Sequence, residues 1–339
     1  MGTDLSDIIE SEKRTLKDFT GQIIAIDAYN TIYQFLASIR QPNGIPLMDS
    51  KGRITSHLSG LFFRTINLIE TGIKPIYIYD GPPLELKKKT IAERMSRREK
   101  AEIEWAEALT TGDIETARSK AQMTARLTKE QADETKKLLD LMGIPWIEAV
   151  HDGEAQASVM VQKGLVFACA SQDYDSLLFG AHRLIRNLTI TGRRKLPRKK
   201  EYVEISPELI SLESNLNHHN ITREQLVDMA ILIGTDFNSG IKGVGPKTAL
   251  KLIKEYKTLE QVLSAKSWTI ENYTEIRELF LNPDYKDVTD LKWREPQDSK
   301  ITEILCEEYE FSRDRVSLAL ARLSNLRTSK SQTKLDAFA

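Results

Sequence analysis

Three apolar runs in this chain each stop at an aspartate: Ile23-Ile24-Ala25-Ile26-Asp27, Ile76-Tyr77-Ile78-Tyr79-Asp80 and Val166-Phe167-Ala168-Cys169-Ala170-Ser171-Gln172-Asp173. Four further acids stand beside such ends. Asp152 and Glu154 are two apart in Asp152-Gly153-Glu154-Ala155, where a helix would start. Asp175 lies two beyond Asp173, and Asp236 follows Leu232-Ile233-Gly234-Thr235. A single acid of this kind is as readily a helix cap or turn former as a ligand. Seven on one sheet edge are not. Carboxylates brought that close repel unless a cation neutralises them, and an all-carboxylate set selects Mg²⁺ or Mn²⁺ over zinc. Two such ions about 4 Å apart can clamp the attacking and leaving oxygens of an in-line phosphoryl displacement, so no Ser or Cys nucleophile is needed. A lone His151 beside these acids reads as a surface or hydrogen-bonded residue, not a ligand.

Elements must bring these acids together. Short β-branched and aromatic runs read as buried strands of a parallel sheet, and ligands bind at the carboxyl ends of such strands. Segment 22–83 predicts strand, helix, loop, helix, strand, and segment 143–205 resumes that alternation, beginning with a strand entry at Gly143-Ile144-Pro145-Trp146-Ile147-Glu148. Between them, 84–142 is long, charged and nearly free of Gly and Pro. It predicts two helices, 84–109 and 113–142, hinged at Thr110-Thr111-Gly112-Asp113. From 206 onward the pattern is helical, with a glycine-rich turn from Gly240 to Pro246, and the last dozen residues read as a polar, mobile tail.

Composition narrows the class. The chain has 339 residues with 48 basic and 49 acidic side chains, a net charge of −1. For a nucleic-acid binder the clustering of charge matters more than this balance. Two cysteines, Cys169 and Cys306, without C-x-x-C spacing exclude a disulfide scaffold or structural zinc and read as intracellular. No run has the length of a membrane span and no secretory leader is recognisable, so a soluble protein with no membrane partner is expected.

Lys87-Lys88-Lys89, Arg94, Arg97-Arg98 and Lys100 form a dense basic stretch just after Asp80. On a helix Lys87 and Arg94 share a face, as do Arg94 and Arg98. Glu93 and Glu99 interleave, so charge alone favours a solvated face. A second cluster, Arg193-Arg194-Lys195 with Arg198-Lys199-Lys200, reads equally as a phosphate contact or as solvated. Gly240-Ile241-Lys242-Gly243-Val244-Gly245-Pro246-Lys247-Thr248 is no P-loop, because Gly-Lys-Thr is not contiguous and Pro246 removes a needed N–H. A hairpin that presents backbone amides to DNA phosphates is the better account.

These residues reach a recognisable pattern. Ala25-Ile26-Asp27-Ala28-Tyr29-Asn30, Ile32-Tyr33-Gln34-Phe35-Leu36, Tyr79-Asp80-Gly81-Pro82, Gly153-Glu154-Ala155-Gln156-Ala157, the Asp173/Asp175 pair and Gly243-Val244-Gly245-Pro246-Lys247 closely resemble the flap endonuclease family of structure-specific, XPG-like 5′ nucleases. The resemblance covers about residues 1–338 and implies an α/β, PIN-like nuclease fold. Such a fold has a twisted, mainly parallel sheet flanked by helices, a helical arch, and a helix–two-turn–helix motif that grips duplex DNA. The organisation expected is an N-terminal nuclease region at 1–105 and the arch at 84–142. An internal nuclease region follows at 143–265, with the two-turn motif at about 228–256, then a helical part at 266–327 and a tail at 328–339.

By resemblance, Asp27, Asp80, Asp152, Glu154, Asp173, Asp175 and Asp236 are the carboxylates of a site for two Mg²⁺ ions, with Mn²⁺ as a substitute. Family members usually carry Glu where this chain has Asp152, and the shorter side chain leaves room for a bridging water. Lys87 and Arg94 match arch residues that contact the scissile phosphate. Tyr33 becomes a stacking platform for a base, with Arg40 and Arg64 contacting nucleic acid nearby. Gly243, Gly245 and Lys247 belong to the duplex-gripping hairpin, which often holds K⁺ through carbonyls. Gln332, Leu335 and Phe338 resemble a sliding-clamp box in which Ala339 replaces the second aromatic. The chain stops there, without the long basic tail of nuclear relatives, which predicts the archaeal type: a monomer at a cytoplasmic nucleoid.

The activity implied is 5′ flap endonuclease and 5′–3′ exonuclease cleavage of branched DNA, in Okazaki-fragment maturation and repair. A phosphatase of small esters is the second enzymatic reading; the charged 84–142 segment and the hairpin argue against it. A DNA-junction binder acting with the clamp after losing catalysis is the third, and the intact acids argue against that.

Overall fold

The structure, a computed structural model, describes residues 2–41, 44–190, 193–195 and 202–336. Its centre is a seven-stranded sheet. The strands are β1 (Glu12–Lys13), β2 (Ile23–Asp27), β3 (Lys74–Tyr79), β4 (Trp146–Glu148), β5 (Ala168–Ala170), β6 (Arg183–Arg186) and, after a separate hairpin of β7 (Arg193–Lys195) and β8 (Tyr202–Glu204), β9 (Glu208–Ser211). Their order across the sheet is β1-β9-β6-β5-β2-β3-β4. β4, β3, β2, β5 and β6 run parallel, and β9 and β1 add an antiparallel edge.

Side-chain alternation along β2 and β3 divides the interior. Ala25, Ile76 and Ile78 face one buried cluster, while Ile24, Ile26, Tyr77 and Tyr79 face the other. Helices therefore cover both faces, as a parallel sheet requires. The helices are α1 (Ala28–Ser38), α2 (Ser56–Glu70), α3 (Lys88–Thr110), α4 (Ile114–Met123), α5 (Lys129–Met142), α6 (Gly153–Gln162), α7 (Asp175–Leu178), α8 (Leu212–His219), α9 (Arg223–Ile233), α10 (Pro246–Tyr256), α11 (Leu259–Lys266), α12 (Tyr273–Leu281), α13 (Asp298–Thr302) and α14 (Arg313–Asp336). The C-terminal helices serve both faces: Ile276 and Phe280 of α12 join the first cluster, and Ile301, Val316 and Leu320 join the second. Among the described residues no helix is long and apolar enough to cross a membrane.

Four expectations are revised. The second arch helix, expected over 113–142, is two helices, because Thr128 and Gln131 form a capping box that starts α5 afresh. Lys87 closes a 3₁₀ turn ahead of α3, so it does not share a helix face with Arg94. Arg193–Lys195, expected in a loop, form a strand, while Arg198-Lys199-Lys200 lie outside the described residues. The helix α14 continues to Asp336, where a mobile tail was expected.

The segment 282–297 crosses from α12 to α13 as an irregular strap. Its Trp293 Nε1 donates to Pro75 O at 3.0 Å, Arg294 N to Gly143 O at 2.9 Å and Gln297 N to Leu141 O at 2.8 Å. Gly143 ends α5 in the left-handed region at φ 69°, and a Cβ there would stand 2.1 Å from Arg294 O. Gly143→Ala is therefore expected to destabilise the protein by about 3 kcal/mol, through positive φ and displacement of the strap. A denaturant midpoint that does not move would refute this anchoring.

Candidate metal and nucleic-acid site

The sheet register brings the strand-end acids together. Asp27 pairs with Ile78, so Asp80 lies two residues beyond it on the next strand; Ile26 pairs with Ala170, so Asp173 lies three beyond on the other side. Glu154 enters from the first turn of α6 and Asp175 from the start of α7. The 235–238 turn carries Asp236 and is closed by Thr235 Oγ1 donating to Asn238 Oδ1 at 2.8 Å. All seven predicted acids face the carboxyl edge of the sheet.

They are held in two ways. Five accept hydrogen bonds from uncharged donors. Asn30 N donates to Asp27 Oδ1 (3.0 Å), Gly153 N to Asp80 Oδ1 (2.7 Å), and Ser171 Oγ to Glu154 Oε1 (2.8 Å). Asn30 Nδ2 donates to Asp173 Oδ2 (3.1 Å) and Thr3 N to Asp175 Oδ1 (2.8 Å). The remaining two meet the arch: Lys87 Nζ donates to Asp152 Oδ1, and Arg94 Nη2 to Asp236 Oδ1 at 2.5 Å. Asp152 stands at the N-cap position of α6, yet its carboxylate makes no cap hydrogen bond and is turned to Lys87 instead. Lys87 Nζ also lies 5.1 Å from the centre of the Phe237 ring.

Electrostatics record the crowding. Burial, then the Asp80 charge, pushes the Asp27 carboxyl well above its usual range. Burial, with the Asp175 and Asp27 charges behind it, does the same to Glu154. Asp80 is raised to about 6, chiefly by burial and against the pull of Lys87. Asp175 is raised to about 7, by burial and by Asp236 and Asp173. Burial opposes charge on Lys87, but Asp152 and Asp80 outweigh it and move the ammonium upward. Among the described residues no three His, Cys, Asp or Glu side chains close into a ready coordination shell. The donor set nonetheless fits hard divalent ions: it is all carboxylate, buried at Asp27 and Asp175 and half-buried at the other five, and carries a charge excess that cations would relieve. His151 is no part of it, as its Nδ1 meets Pro82 O at 2.9 Å.

The expected nucleic-acid contacts separate. Tyr33, half-buried on α1, accepts from Arg98 Nη2 at 2.9 Å, and that guanidinium lies 5.1 Å from its ring centre. Arg98 thus docks the arch on α1, and its spacing from Arg94 was the signal for it. Arg40 is occupied structurally, donating to Leu36 O (2.8 Å) and Gly44 O (2.9 Å). Arg64 is half-buried and has no such partner among the described residues. The hairpin turns through Gly240 (φ 64°) and Gly243 (φ 86°), and a Cβ on Gly240 would stand 2.2 Å from Ile233 O. Gly245 precedes Pro246 at the start of α10 and offers no side-chain cap, leaving first-turn N–H groups for an external acceptor. Lys247 lies 3.5 Å from Asp7. Gln332 and Leu335 lie on the α14 backbone; Phe338 is outside the described residues.

Ser171, Asn30 and Thr3 were missed by the sequence reading. They are uncharged, and only their places beside strand-end acids or at the chain start could have drawn notice.

Comparison with known proteins agrees with this geometry. The model of the XPG N-terminal domain matches residues 2–101 and that of the XPG I-region residues 143–236. A protein of Staphylothermus marinus named Flap endonuclease 1 is 56% identical over 331 residues, which is 95% of this chain and 94% of that one. The Flap endonuclease 1 of Pyrococcus abyssi is 52% identical over 339 residues, 100% of this chain and 98% of its own. Among solved structures, the flap endonuclease-1 of Methanococcus jannaschii superposes with a TM-score of 0.77 at 41% identity, covering 97% of this chain and 100% of that one. The catalytic core of Rad2 with DNA substrate superposes at 0.68 with 22% identity, covering 91% and 95%, which extends the likeness of fold alone.

Proposed function

The chain belongs to the flap endonuclease family of XPG-type nucleases, and from that premise we propose how its own residues hold and cut DNA. The activity is that of a structure-specific nuclease acting at single-strand/duplex junctions, 5′ flaps above all, in DNA replication and repair. The observation that carries the mechanism is the arch's placing of Lys87 and Arg94 against the acids at the sheet's carboxyl edge.

Asp27, Asp80, Asp152, Glu154, Asp173, Asp175 and Asp236 would hold two Mg²⁺ ions, or Mn²⁺ in their place, which supply charge neutralisation for the entering and leaving oxygens of phosphodiester hydrolysis. Lys87 and Arg94, moved from their carboxylates to the scissile phosphate, donate to its oxygens as charge grows there. Tyr33 offers a ring to a base beside the cut, with Arg98 sharing that ring and Arg64 available to a phosphate. The amides at Gly243, Gly245 and Lys247 take the duplex backbone without reading sequence, so recognition is of junction shape. A K⁺ ion on hairpin carbonyls belongs to the same reading. The product carries a 5′-phosphate.

A labelled 5′-flap duplex incubated with Mg²⁺ and then with EDTA tests this. Cleavage at the junction only with Mg²⁺ is expected; metal-independent binding without cleavage would leave a junction binder. For the C-terminal end we propose contact with a sliding clamp through Gln332, Leu335 and Phe338. Deleting residues 332–339 is then expected to remove stimulation by the clamp and spare basal cleavage, and unchanged stimulation would refute that role.

A further inference from the structure

Two uncharged side chains tie together three of the segments that deliver acids. Ser171, 5% exposed just past β5, donates to Glu154 Oε1 at 2.8 Å and accepts from Asp173 N at 3.2 Å; Asp27 Oδ2 lies 3.3 Å from the same oxygen. A serine has one proton to give. Glu154 takes it at the shorter distance, and Asp27 shares it at the longer. Asn30 works from the other side. Its Nδ2 donates to Asp173 Oδ2 at 3.1 Å, its Oδ1 accepts from Gln172 N at 3.3 Å, and its backbone N–H holds Asp27 Oδ1. Between them the two side chains link the end of β2, the first turn of α6 and the β5–α7 turn.

Asp27 is crowded by the charges of Asp80 and Asp173, and Glu154 by those of Asp175 and Asp27, so without a restraint the carboxylates would turn away from one another. We propose that Ser171 and Asn30 are positioning residues of the catalytic centre, restraining Asp27, Glu154 and Asp173 on the sheet edge where a divalent ion would gather them. Such restraint lowers the reorganisation that assembling the ligands costs the ion. Partners of ligands act in this way in metal sites generally, and their removal costs about 10–100-fold in metal affinity. The inference rests on these acids being the metal ligands.

The test uses the full-length protein and its Ser171→Ala, Ser171→Thr and Asn30→Ala variants. Each is titrated with Mn²⁺ alone by calorimetry, its melting temperature is measured without and with Mg²⁺, and its single-turnover cleavage is followed against Mg²⁺ concentration. Each alanine variant is expected to bind Mn²⁺ about 10-fold more weakly and to shift the Mg²⁺ midpoint by a similar factor. Ser171→Thr, which keeps the hydroxyl, is expected to restore both. An alanine variant whose metal-free melting temperature falls while its Mn²⁺ affinity stays within about two-fold of the parent would overturn the proposal, leaving a structural hydroxyl or amide. A threonine variant that behaves like the alanine would overturn it too. Failure of the parent protein to bind Mn²⁺ would instead sink the metal reading beneath it.

Discussion

Asp173→Asn is expected to slow junction cleavage by about 10³-fold while the protein still binds the junction, because the substitution keeps the shape and removes a charge that, in the proposed mechanism, would hold the ions. Asp173 follows β5, the central strand of the sheet, and Asn30 fixes its Oδ2. An asparagine can occupy the same space, so the fold and the hairpin that grips the duplex are undisturbed. Single-turnover cleavage in Mg²⁺, beside binding by anisotropy in Ca²⁺, measures the two properties separately. Rapid cleavage by the variant would mean that the centre lies elsewhere.

Arg94→Ala is expected to lower the single-turnover rate by about 10²–10³-fold, the cost of removing one donor aimed at developing charge, and to weaken junction binding far less. Arg94 reaches down from α3 to Asp236, which puts its guanidinium beside the acids at which the proposed mechanism would bring the phosphate. Arg94→Lys should recover only part of the rate, since an ammonium cannot reproduce the planar fork. Lys87→Ala should behave similarly, and the double variant should lose less than the product of the two if both cations serve one phosphate. A loss of binding that matches or exceeds the loss of rate would reduce Arg94 to an ordinary phosphate contact.

What was legible before the structure was the part written in apolar periodicity and charge. The runs ending at Asp27, Asp80 and Asp173 became β2, β3 and a short β5, and their register made three separate strand ends into one edge. The hinge at 110–113 and the break before Pro246 were equally plain, because Gly and Pro punctuate them. The restart at Thr128 was visible only as a four-residue capping box inside a charged helical stretch that masked it. Arg40 was legible only in part: its charge shows in the sequence, whereas the use of its Nε and Nη1 on the carbonyls of Leu36 and Gly44 does not. Ser171 and Asn30 carried no signal by type, since their meaning lies in which oxygens they touch, and only the register decides that.

In the role proposed for them, Lys87 and Arg94 each have two suitors, the carboxylate they meet in this structure and the phosphate to be cut, and cannot serve both in full. Whatever lifts them from Asp152 and Asp236 takes positive charge away from both acids, and so strengthens the site's hold on cations. Thermodynamic reciprocity then requires that cations filling the site loosen the arch by the same free energy. Substrate and metal thus favour one another's arrival through a shared counter-ion, although no side chain needs to touch both.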